Sequence, residues 1–113
     1  MRKIEQQMCD AIVLGKDWKS GNTRVVNVDD CSRVFLHDNL IAVVTEDDVR
    51  IFDGGWQSAT TKSRLNAILG FFGFNGECIF QKDFDWYIRK FVGQHGVEKI
   101  FTTIPFTNGY IFA

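Results

Sequence analysis

The sequence predicts a single α+β domain over residues 1–113, an antiparallel sheet of about five to seven strands with two helices packed on it. Three observations predict it. Two segments carry apolar residues at helical spacing, and between and after them the apolar period falls to two. The runs of period two are joined by short connections, which favour an antiparallel meander over parallel crossovers.

The elements follow in order. Ile4, Met8, Ala11 and Ile12 stand at i, i+4, i+7 and i+8, one face of a helix over 2–14, with Gly15 as its C′ residue. Lys3, Gln6, Gln7 and Asp10 take the opposite face. Residues 16–22 read as a loop. Strands are expected over 23–28, 33–37, 40–45 and 49–52. Asp38-Asn39 serves as a tight turn, because both residues tolerate positive φ. Leu65, Ile68, Leu69 and Phe72 repeat the helical spacing and place a second helix over 60–72, capped by Ser58, Thr60 or Thr61. Segments 77–81 and 86–91 form a second hairpin about 82–85. Segments 99–103 and 110–112 add one or two short strands, with Thr107-Asn108-Gly109 as a turn.

Apolar residues make up 45% of the chain, enough for one core in 113 residues. Eleven Phe, three Trp and two Tyr are many for this length, so some should reach the surface. A net charge of −1 argues against binding duplex DNA by bulk charge, but leaves room for a local basic patch. Cys9, Cys31 and Cys78 are odd in number and form no CxxC pair, so they read as reduced thiols and no metal is expected. Met1 to Gln7 has no apolar signal core, and no segment is long enough to span a membrane. The expected location is the cytoplasm, and no membrane partner is expected.

The start of the second helix is unusual. Thr60, Thr61, Lys62, Ser63 and Arg64 put hydroxyls and two cations where the macrodipole is already positive. One reading is a phosphate-binding site built from free N–H groups, hydroxyls and cations. The plainer reading is an ordinary cap with two solvated cations. The glycine spacing of a P-loop is absent.

The aromatics Trp18, Phe35, Trp56, Phe84, Trp86 and Tyr87 form a second candidate. Rings on a sheet beside Lys or Arg hold single-stranded nucleic acid by stacking and phosphate contact. Arg24, Arg33, Lys82, Arg89 and Lys90 could supply the cations. Most such rings would otherwise be core. Trp56 and Phe84, at expected turns, are the base-stacking candidates. Trp86 and Ile88 share one face of their strand, and Tyr87 and Arg89 the other.

Asp29, Asp30, Glu46, Asp47, Asp48 and Asp53 could hold a divalent cation, but their positions fit turn chemistry better. His37 or His95 beside a cysteine would be needed for nucleophilic catalysis, and nothing in the sequence brings such a pair together. No catalytic residue and no cofactor is expected.

The segment Gly55-Trp56 to Asn66, read G-W-x-x-x-T-T-K-S-R-L-N, resembles a motif of small proteins encoded by tailed bacteriophages. The later Phe80-Gln81-Lys82 with Trp86, and Phe106-Thr107-Asn108-Gly109-Tyr110, extend the resemblance over most of the chain. It implies a phage accessory protein working in the host cytoplasm, and it transfers no activity. The expected function is a non-enzymatic module binding single-stranded nucleic acid or a phosphate-bearing ligand. The alternative is a protein-interaction module that binds a host protein or forms a homodimer.

Overall fold

A computed structural model describes all residues, Met1–Ala113. The two helices are α1 (Lys3–Leu14) and α2 (Ala59–Phe72). Nine strands complete the chain: β1 (Trp18–Ser20), β2 (Thr23–Val28), β3 (Cys31–Leu36), β4 (Asn39–Val44), β5 (Val49–Ile51), β6 (Cys78–Lys82), β7 (Asp85–His95), β8 (Glu98–Pro105) and β9 (Tyr110–Phe112). The α+β class and the antiparallel pairing are as the sequence predicts. The strands are divided, however, between a six-stranded sheet ordered β1-β2-β3-β4-β5-β9 and a three-stranded sheet ordered β6-β7-β8.

The division follows from α2. Its stripe of Leu65, Ile68 and Leu69 is fully buried, and α2 contacts β4 and β5 on one side and β6 on the other. A helix apolar over so wide a face needs two partners. On the large sheet, Val25, Val34, Leu36, Ala42, Val44, Val49 and Ile51 face Met8, Cys9 and Ile12 of α1 and the α2 stripe. In β7 the alternation resolves as Trp86 and Ile88 inward, with Tyr87 half-buried and Arg89 exposed on the other face.

Local differences have local causes. Residues 18–20, expected as loop, pair with β2 through Trp18↔Val25. The tight turn expected at Asp38-Asn39 lies one residue earlier, at His37-Asp38, where both φ values are positive (51° and 63°). Leu36 is thereby set opposite Asn39, the register of a two-residue turn. A bulge then inserts Ile41 in β4. It turns Ile41 and Ala42 both into the core and leaves Leu40 and Val43 on the outer side. β7 and β8 run longer than expected, as a hairpin whose far end contacts little else.

Candidate functional site

Ser58 caps α2, accepting from the Thr61 N–H at 3.1 Å. The Ser58 and Thr61 hydroxyls also bond each other. Arg64 turns inward and is only 4% exposed. Its Nη1 donates to Glu5 Oε2 at 2.9 Å, and its Nε to Thr23 Oγ1 at 3.1 Å. The Ser63 hydroxyl donates to the same Glu5 oxygen. The five-residue group is therefore split. Thr61, Ser63 and Arg64 spend their polar groups inside the protein, and Arg64 is no free cation for phosphate. Thr60 and Lys62 remain half-buried at the surface.

Glu5 answers Arg64 from the other helix. Burial opposes its ionisation. The hydrogen bonds from Ser63 and Arg64 and the guanidinium charge outweigh that cost and hold the carboxyl below its ordinary value of 4.5. The spacing contained this pair. Glu5, Met8, Cys9 and Ile12 in α1, and Thr61, Arg64, Leu65 and Ile68 in α2, both stand at i, i+3, i+4 and i+7. Each charge lies on an apolar stripe.

Trp56 is 76% exposed and Phe84 92% exposed, as their turn positions suggested. They belong to different loops. Trp56 borders a cavity of about 420 Å³ lined by Leu36, His37, Asn39, Ile41, Asp53 and Thr60, among others. Phe84 sits at the tip of the β6–β7 hairpin with φ 71°, a left-handed conformation rare for a bulky residue. Trp18 packs against the core, and Trp86 is buried with its ring edge-on to Phe106.

The strongest constellation is on the outer face of the six-stranded sheet, away from both helices. The strand pairing aligns one row as Lys19–Arg24–Phe35–Leu40. A second row runs Val26–Arg33–Val43–Arg50–Ile111. Val28 and Cys31 stand beyond it. Lys19, Arg24, Arg33 and Arg50 are cations, and no residue of the two rows is an acid; Asp17, which precedes β1 at the edge of the second row, accepts from the Asn27 backbone N–H and side-chain amide. Only Arg24 has a carboxylate within ion-pair reach, Asp38 at 3.9 Å. The Arg24 guanidinium also lies 4.8 Å from the centre of the Phe35 ring, and its buried Nε has no hydrogen-bond partner. The acids Asp29, Asp30, Asp38, Glu46 and Asp47 are exposed in the turns. Charge is thus segregated, cations on the sheet and acids around its ends. Arg24, Arg33 and Phe35 were legible as candidates; Lys19, Leu40 and Arg50 were missed, because only cross-strand register brings them into the rows.

His37 and His95 are exposed, and no thiol has a histidine as hydrogen-bond partner. Cys9 donates to the Ala67 carbonyl in the core, where burial above all, with the charges of Asp10 and Glu5, pushes its pKa up to about 12. Burial also raises Cys78, against the nearby charge of Arg89. No group of three or more His, Cys, Asp or Glu side chains is arranged to hold a metal ion. No helix is long and apolar enough to cross a membrane.

Fold and site define a small α+β protein with one helix-covered and one open, cation-bearing sheet face. The chain belongs to the phage protein family described as Kyanoviridae Gp96 protein, whose family model matches residues 1–113. No curated protein and no solved structure matches it.

Proposed function

We propose that this phage protein is a non-enzymatic accessory module that binds single-stranded nucleic acid on the open face of its six-stranded sheet. The observation that carries the reading is the pair of rows in which Lys19, Arg24, Arg33 and Arg50 surround Phe35 and Leu40 with no acid among them. Six strands span about 24 Å, room for a short single strand. Arg24 already lies over Phe35, so one cation and one ring are set side by side before a base arrives. Trp56, beside its cavity across the His37-Asp38 turn, offers a further stacking surface.

Fluorescence polarisation of a labelled single-stranded oligonucleotide tests this, titrated at about 50 mM and about 200 mM salt. Binding should be strong at low salt and weaken steeply. Arg33→Ala with Arg50→Ala should lower the slope of log affinity against log salt by about 1.4, two phosphate contacts at about 0.7 each. Absence of binding at low salt, or an unchanged slope in the double variant, would sink the reading.

One observation favours a second reading, contact with a host protein. Phe84 is an exposed aromatic in a strained conformation at a hairpin tip, and such residues anchor interfaces. Host extract passed over the immobilised protein should then yield a partner that Phe84→Gly fails to retain. Equal retention by both proteins removes this reading.

A further inference from the structure

The three-stranded sheet has two edges, and they are treated differently. The β6 edge is covered from within at its one buried outward-facing residue, Ile79. The Asn66 side chain of α2 donates to the Ile79 carbonyl at 2.9 Å and accepts from the Ile79 N–H at 2.7 Å, imitating a neighbouring strand. The β8 edge has no such cover. It is eight residues long, whereas the edge strands β1 and β9 of the large sheet have three each. Along it, Ile100-Phe101-Thr102-Thr103-Ile104 is uncharged and wholly β-branched or aromatic. That composition favours strand pairing.

The direction of its backbone groups follows from one bond. The Phe106 N–H donates to the Trp86 carbonyl at 3.0 Å. By alternation, the even-numbered groups of β8 turn toward β7 and the odd-numbered ones turn outward. The register shift near Phe91 places its extra residue in β7, so the alternation along β8 is unbroken. Lys99, Phe101 and Thr103 therefore present unpaired N–H and C=O groups to solvent. Pro105 also turns outward, where its missing donor costs no ladder bond. Phe101 is held firmly. Its ring lies against Gly76, where an added Cβ would stand 2.5 Å from Cζ, and Arg89 stacks 4.1 Å from the ring centre.

We propose that β8 is a homodimerisation edge that pairs antiparallel with the β8 of a second copy about a two-fold axis at Phe101. In this register Phe101 faces the partner's Phe101, and Lys99 faces the partner's Thr103. Every outward N–H and C=O of Lys99, Phe101 and Thr103 then finds a mate, and Pro105 falls outside the ladder. No like charges stand directly opposite. Ile100, exposed in the single chain, comes opposite the partner's Thr102. The two small sheets join into one of six strands. A net charge of −1 leaves little repulsion to keep two copies apart. The association is independent of nucleic-acid binding, which uses the other sheet.

Sedimentation velocity over roughly 10–200 µM tests the edge. The natural chain should sediment as a dimer at the upper end. Thr103→Pro removes one outward donor and no β7–β8 bond, so it should give a monomer with an unchanged circular dichroism spectrum. A charge pair tests the register and stands even if the proline variant does not fold. Thr103→Lys sets a cation opposite the partner's Lys99 and should weaken dimerisation about tenfold, because the axis repeats the clash. Thr103→Glu should leave it unchanged or strengthen it. A chain monomeric throughout, a folded and dimeric Thr103→Pro, or equal effects of the Lys and Glu substitutions would each overturn the proposal.

Discussion

Arg64 shows how a residue can be misjudged from its immediate neighbours. Beside Thr60 to Ser63 it resembles a phosphate ligand. Its actual partner, Glu5, is 59 positions away on the other helix. The pair is nearly inaccessible to water, with 5% of each side chain exposed. Removing one member should therefore cost more than the pair contributes, because a charge is left buried alone. Arg64→Ala should destabilise the protein by about 3–5 kcal/mol in chemical denaturation. Glu5→Leu with Arg64→Met should cost far less than the sum of the single changes. The same pair sets an acid limit. Because the folded protein holds the Glu5 carboxyl below its ordinary value of 4.5, its contribution is complete above that pH. It is lost as pH falls through the lowered value. Denaturation midpoints measured from neutral pH downward should show this loss, and Glu5→Gln should lack that component.

At the scale of elements, the sequence was most legible where pattern is local. Both helices, the class of the fold and most strands follow from apolar spacing alone. Pairing between distant segments is not local, and no local spacing specifies it. Residues 18–20 are too few to show a period, and only the register with β2 makes them a strand. The second sheet exists because β6 docks on α2, and Asn66 seals that junction. Asn66→Ala should strand the N–H and C=O of Ile79, a residue 2% exposed, and cost about 2–4 kcal/mol. Such a loss should appear as a lower denaturant midpoint with an unchanged slope. Phe84→Gly should do the reverse. Relief of the left-handed strain at the hairpin tip should raise stability by about 0.5–1 kcal/mol. A gain there would mean the phenylalanine is kept at some cost to the fold.

For the whole molecule, the decisive quantity is where charge lies rather than how much there is. A net charge of −1 gives no hint of a cationic surface, because the acids at the sheet ends offset the cations on its face. Period two already separated Arg24 from Val25 and Arg33 from Val34. The collection of four cations on one side required the strand order and the Ile41 bulge. Two variants of equal net charge distinguish local from bulk electrostatics. Arg33→Glu with Arg50→Glu, and Lys3→Glu with Lys16→Glu, each move the formal charge from −1 to −5, two units per reversal. All four side chains are exposed, so neither variant should lose a buried contact. If the sheet face holds the strand, only the first variant should lose oligonucleotide affinity at low salt, and the second should keep most of it. Equal losses would mean that the phosphates respond to the net charge of the particle, and the rows on the sheet would then have no special part in binding.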